Sequence, residues 1–207
     1  MKRLVTSIIL ILLMLSLFAD DQIQFSGGYS KVSLKEGREE LILSGGANVI
    51  VGSMAIKADT ITLSGSGYNT VSCSGKIVIE DKEKGLTIKT STLLYDRSRE
   101  TLLISAWSEI SDSVNEMEAS AAALYYDMNS EILQMQMQVR LLKNTDSGVL
   151  SAKAENVTYN RNASTLTLSG AATVTWRGDN YTAEVITIDT ENETISLDGR
   201  IEGTVRD

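Results

Sequence analysis

The feature that most constrains this 207-residue chain is repetition. Leu41-Ile42-Leu43-Ser44-Gly45-Gly46-Ala47-Asn48-Val49-Ile50-Val51 and Leu166-Thr167-Leu168-Ser169-Gly170-Ala171-Ala172-Thr173-Val174-Thr175-Trp176 match place by place at one offset, with apolar residues on alternate positions. Between them lie Val71-Ser72-Cys73-Ser74-Gly75-Lys76-Ile77-Val78-Ile79, Leu102-Leu103-Ile104-Ser105-Ala106 and Leu133-Gln134-Met135-Gln136-Met137-Gln138-Val139-Arg140-Leu141, and Ile195 to Ile201 forms a partial last copy. A second strand-like stretch precedes each later copy and ends at Tyr95-Asp96, Tyr126-Asp127, Tyr159-Asn160 or Ile188-Asp189. The spacing from Tyr95 to Ala106 recurs from Tyr126 to Met137, Tyr159 to Gly170 and Ile188 to Gly199. Copies therefore return roughly every 30 residues, the range of stacked arrays.

Within a copy the period is two, which means strands with one buried and one wet face. Gly65-Ser66-Gly67, Asp127-Met128-Asn129 and Arg161-Asn162 supply turn chemistry between stretches. Only Met117 through Leu124, rich in Ala, has helical propensity, and its place in the repeat favours a strand. One copy supplies two or three strands whose apolar face is too small to bury itself, so the copies must stack. The expected fold is all-β, built from stacked strand repeats and open at both ends, with no internal linker between about residue 20 and residue 207.

Composition removes whole classes of function. The chain has no His and one Cys, so Ser-His-Asp or Cys-His triads, His-containing zinc sites and an intrachain disulfide cannot be built, and no metal or cofactor site is expected. Its formal charge of −8 argues against nucleic acid as a partner. A glycosidase would need paired carboxylates on one face, whereas the acids here are dispersed. Asp59, Asp96, Asp127 and Asp189 recur at places read as turns, where an Asx hydrogen bond accounts for them. Four Asn-x-Ser/Thr sequons, beginning at Asn156, Asn162, Asn180 and Asn192, fit the composition of an Asn- and Thr-rich β protein.

The first 19 residues read as an export signal: Met1-Lys2-Arg3 is basic and Leu4 through Phe18 is almost wholly apolar. Cleavage is expected after Ala19; an uncleaved anchor is the other reading, although the apolar run falls short of the about 20 residues that span a bilayer. Loss of Lys2 and Arg3 would leave 17 basic against 27 acidic residues.

The alternation nominates an inward set: Leu43, Val49, Val51, Ile56, Ile61, Leu63, Ile77, Ile79, Ile88, Ile104, Leu133, Met135, Met137, Val139, Leu166, Leu168, Val174 and Leu197. Met135 and Met137 suit an adaptable apolar lining. Cys73 falls on an inward place and reads as a buried thiol; Trp107 falls one place off the set and Trp176 on it.

The recurring Leu-x-Leu-x-Gly-x-Ala/x-Val-x-Val units, the Ile56-Lys57-Ala58-Asp59-Thr60-Ile61-Thr62-Leu63 stretch and the Tyr-Asp strand ends resemble the OstA-like family, the LptA and LptC type of lipopolysaccharide-transport proteins. The resemblance covers about Glu40 to Val205. It implies a twisted, open-ended β-jellyroll, no catalysis, and a periplasmic carrier or bridge holding lipopolysaccharide or another acylated lipid against the inward set. It also implies joining end to end, or to similar domains of inner- and outer-membrane partners, with inner-membrane anchoring of the chain itself if the signal stays. Ala106 and Met137 depart from the pattern, standing where Gly45, Gly75 and Gly170 stand, so the local bend is not specified there. The residues alone also admit a structural or adhesive β-solenoid without lipid.

Overall fold

Each repeat must bury one face of its strands, and the chain does so with a single antiparallel sheet. The computed structural model describes residues 22–35 and 38–205. The export signal and its cleavage point lie outside them. In order the strands are β1 (Gln24–Ser26), β2 (Tyr29–Ser33), β3 (Glu40–Val51), β4 (Met54–Ser64), β5 (Thr70–Asp81), β6 (Leu86–Asp96), β7 (Thr101–Ile104), β8 (Ser108–Asp112), β9 (Met117–Ala121), β10 (Ala123–Asp127), β11 (Ile132–Thr145), β12 (Gly148–Asn160), β13 (Thr165–Trp176), β14 (Asp179–Asp189), β15 (Thr194–Asp198) and β16 (Glu202–Thr204). Met117–Ala121 is a strand, as its register requires. All sixteen strands of the described residues belong to one sheet in which successive rungs pair.

Short strands share rungs. β1 and β2 lie end to end along β3, β8 and β7 along β6, β9 and β10 along β11, and β16 and β15 along β14. The meander therefore has β1 and β2 at one edge and β15 and β16 at the other. This is the all-β fold of stacked strand repeats expected from the sequence, in the twisted, open-ended jellyroll form that the resemblance implies.

Each long rung is creased at its middle. The register shifts between Ser44 and Ala47, Ser74 and Ile77, Gln136 and Val139, and Ser169 and Ala172, where a two-residue bulge opposes one residue of a neighbour. Such bulges bend a strand and increase its twist. The glycine column of the repeat is this crease. Gly75 has φ +97°, and a Cβ there would lie 2.5 Å from the Asp59 Cβ; Gly170 has φ +77°, and a Cβ would lie 2.8 Å from that of Glu155. Glycines on one rung thus leave room for carboxylate side chains on the next.

Two expectations are corrected here. Asp59 is not in a turn: it sits in β4 at the crease, where its Oδ2 accepts the Lys76 N–H at 3.1 Å. Asp96, Asp127 and Asp189 are at turns and accept N–H bonds from residues two and three places on. The bend is also kept where glycine is missing. Met137 and Gln138 adopt φ +62° and +57°, while at Ala106 the rung divides into β7 and β8. The next rung divides too, into β9 and β10, and the Ala122 N–H between them donates to the Met137 carbonyl at the crease of β11 at 3.1 Å.

Substitutions at the crease should have opposite signs. Gly75→Ala meets both the left-handed φ and Asp59, and should lose about 1–3 kcal/mol in urea unfolding; Met137→Gly relieves left-handed strain and should gain about 1 kcal/mol.

Candidate functional site

The creases fold the sheet so that alternate side chains face a common interior. Leu43, Val49, Ile56, Ile61, Leu63, Ile77, Ile79, Ile88, Ile104, Leu133, Met135, Val139, Leu166, Leu168 and Val174 are all buried at 2% exposure or less, and Val51 is buried at 8%. Leu197 is only half-buried, because β15 lies on an edge of the sheet. Met137 is 51% exposed, contrary to its expected inward place. It occupies the glycine column, and a residue at a bulge with positive φ turns outward even though its parity is that of the inward set.

The alternation also reaches further inward residues that the initial set omits. Tyr95, Tyr126 and Tyr159 are buried, as are Leu102, Ile110, Leu141, Ile186 and Ile188. Cys73 is buried and free, and burial pushes its thiol up to about 12. Trp176 is buried with its Nε1–H donating to Thr145 Oγ1 at 3.1 Å, while Trp107 stands exposed between β7 and β8.

A polar seam closes this interior. Straight, the 11 residues of β6 would span roughly 35 Å. Yet Lys84, just before β6, donates to Glu131 Oε1 and to the Met128 carbonyl, while Met128 N donates to the Glu100 carbonyl just beyond the other end of β6. The two rims of the creased sheet therefore meet. Turns 82–85, 113–116 and 146–147 lie along one rim, and turns 128–131, 161–164 and 190–193 along the other.

The contacts are charged and largely enclosed. The Arg161 guanidinium donates to Asp112 from Nε at 2.7 Å and from Nη2 at 3.2 Å, to the Lys84 carbonyl at 2.6 Å, and to Glu131 Oε2 through Nη1. Side-chain exposure is 7% for Arg161 and 0% for Asp112. Tyr126 donates its hydroxyl to Glu131 at 2.7 Å, and Lys84 Nζ lies 5.8 Å from the centre of the Tyr126 ring. Asn115 N and Nδ2 donate to Asp112, and Lys143 Nζ donates to the Asn115 carbonyl. Farther along, Ser147 donates to Glu193 through N at 3.2 Å and Oγ at 2.5 Å.

The Lys84–Glu131, Asp112–Arg161 and Ser147–Glu193 bonds join residues 47, 49 and 46 positions apart, which is three rungs each time. Successive rungs alternate direction, so an odd number is needed to bring a turn of one rim to a turn of the other. The same offset brings residues 51–54 to residues 97–100, where a polar cleft of about 170 Å³ is lined by Asp81, Lys84, Arg97 and Glu100 among others. At the sheet's β1 edge a larger cleft of about 500 Å³ opens beside Ile23, Phe25, Val32, Leu41, Leu63 and Tyr68.

Burial acts on Asp112, Glu131, Lys143, Tyr126 and Tyr159. It raises Asp112, but hydrogen bonds from Arg161 and Asn115 outweigh it and hold that carboxyl below its ordinary range. Glu131 is likewise raised by burial and brought below its usual value by Lys84, Tyr126 and Arg161. Burial lowers Lys143, partly offset by Asp112 and Glu116. Tyr126 and Tyr159 are raised by burial, with Glu131 adding to the first and Asp112 to the second.

Lys84, Asp112, Glu131 and Arg161 do not stand out in the sequence, since each is a charged residue at or beside a turn. The recoverable signal is the recurrence of such residues at one and a half repeats.

Residues 142–194, from β11 to the start of β15, match the family model described as LptA/(LptD N-terminal domain) LPS transport protein. That stretch is similar to the OstA-like, LptA/LptC type, the same resemblance that the repeats carry. No curated protein matches the chain. Among solved structures, the crystal structure of LptH, the LptA homologous periplasmic component of the lipopolysaccharide transport device from Pseudomonas aeruginosa, matches at 13% identity and a TM-score of 0.29, over 91% of this chain and 97% of that one.

A carboxyl lowered in the fold contributes stability above its unfolded value, and that stability is lost as pH falls through the folded value. With ordinary values of 3.8 and 4.5 for Asp112 and Glu131, melting temperature should hold down to about pH 5 and drop below about pH 4. Asp96, Asp127 and Asp189 are lowered too, by hydrogen bonds within their turns. The seam's own share is therefore the difference between the parent and Asp112→Asn. The variant should lose about 3–5 kcal/mol at pH 7, because Arg161 keeps its charge in a buried site, and should have a shallower acid decline in a melting series.

Proposed function

We propose that the chain is a non-catalytic carrier of an acylated lipid, with lipopolysaccharide as the cargo that its family match names, acting in the periplasm as one span of a bridge towards the outer membrane. The observation that carries this reading is an apolar interior continuous from β3 to β14, in a chain whose residues 142–194 match a lipopolysaccharide-transport family. Acyl chains gain about 0.8 kcal/mol for each CH₂ moved from water into such an interior. The net charge of −8 opposes an anionic head group only through screened surface interactions, which are much weaker. The free edges of β1 and β2, and of β15 and β16, suit continuation of the sheet into a second copy or a similar domain of a membrane partner.

One observation favours a structural β-solenoid without cargo. Many lining residues, including Val49, Ile56, Ile61, Ile88, Met135 and Leu168, are at 0% exposure, so the closed interior is already filled by its own side chains. A carrier must open to load.

Photo-crosslinking separates the two. A benzophenone amino acid at Ile77, Val139 or Leu166 should crosslink lipopolysaccharide in envelope preparations, whereas the same group at the outward Met137 or Gln134 should not. Equal crosslinking at both sets, or none at the inward one, favours the cargo-free structural reading.

A further inference from the structure

The interior can be reached through the ends of the sheet or through the seam. The seam is fastened by groups poorly suited to simple stabilisation. Buried ion pairs return little net stability compared with apolar contacts of the same shape, because desolvation offsets much of their attraction. Arg161, Asp112, Glu131 and Lys84 nevertheless meet there, directly over an apolar interior, with Tyr126 donating to the same Glu131 carboxylate. The bonds run between turns, while the ladder hydrogen bonds run between neighbouring rungs. Parting the rims therefore breaks these side-chain bonds and leaves the backbone ladder whole.

We propose that the seam is a lateral gate, and that Arg161, Asp112, Glu131 and Lys84 form the ionic latch that holds it shut against long acyl chains entering sideways from water. Unlatching swings the rims apart about the crease, where Gly75, Gly170 and the Met137–Gln138 bulge already supply the bend. The identity of what enters rests on the carrier reading; the opening itself does not.

Cys73 is a built-in reporter, being the chain's one thiol, buried, and facing the interior on the strand that leads to Lys84. The full mature chain is treated with a maleimide dye, as the parent and as Arg161→Met and Glu131→Gln, with circular dichroism and urea midpoints confirming that each is folded. Labelling of Cys73 should accelerate about ten-fold in the variants, as local opening becomes less costly. Folded variants that label at the parent rate overturn the latch.

A lock supplies the converse and does not depend on those variants folding. Lys84→Cys and Glu131→Cys, in a Cys73→Ala background, are joined by a reducible bismaleimide; their native side chains touch, so the linker spans them. The locked chain should take up cis-parinaric acid, a fluorescent long-chain fatty acid, about ten-fold more slowly than the same chain after reduction. Equal uptake before and after reduction overturns the gate and sends access to the ends, with the carrier reading intact. Faster Cys73 labelling with no fatty acid bound by any form supports the gate and overturns the carrier reading.

Discussion

The crease in each rung is the constraint on which the rest depends. A strand of 11 to 14 residues with one apolar face cannot bury that face while it stays straight, and a flat sheet of such strands would present a hydrophobic surface to water. Bending every rung at one place turns the sheet upon itself, and the apolar face becomes an interior. The bend must stack in register along the molecule, and this explains the glycine column. Glycine accepts the left-handed backbone and leaves space for the carboxylate side chain of the adjoining rung.

Folding the sheet in this way brings polar turns over the interior, and turns carry charge. The molecule resolves that conflict by pairing. Asp112, enclosed completely, receives Arg161 in a two-point contact and Asn115 besides, so its lone pairs are met within the protein. Glu131 takes Lys84, Arg161 and Tyr126. A guanidinium suits this place better than an ammonium because its planar fork meets a carboxylate and a carbonyl at once.

Much of the architecture was legible because period-two alternation reports directly which side chains face in. From Leu43 to Val174 that reading holds on both sides of the crease, and Met117–Ala121 is a strand despite its alanines. It fails at Met137, where alternation and the repeat column disagree. The column is the better guide, because it records backbone shape and the bulge overrides parity. Leu197 is less covered than its pattern implies, since burial on an edge strand depends on what lies beyond it. Asp59 looked like a turn residue because Asp favours turns, yet a carboxylate also serves where a bulge leaves an N–H without a ladder partner. The seam was not legible from single residues: their chemistry says only that Lys84, Asp112, Glu131 and Arg161 are charged, and their convergence follows from the three-rung offset of the folded sheet.

That offset also sets an order of events. A ladder bond forms as soon as the next strand is present, so the sheet can grow by local steps from either end. The Lys84–Glu131, Asp112–Arg161 and Ser147–Glu193 bonds must each wait for a residue 46 to 49 positions away. A chain emerging from its N-terminus therefore trails an unclosed trough about three rungs long, with its apolar floor exposed until Glu131 arrives to meet Lys84. Closure lags behind pairing by a constant length, and during that interval the nascent protein carries the sticky surface that a folding chain most needs to have sheltered.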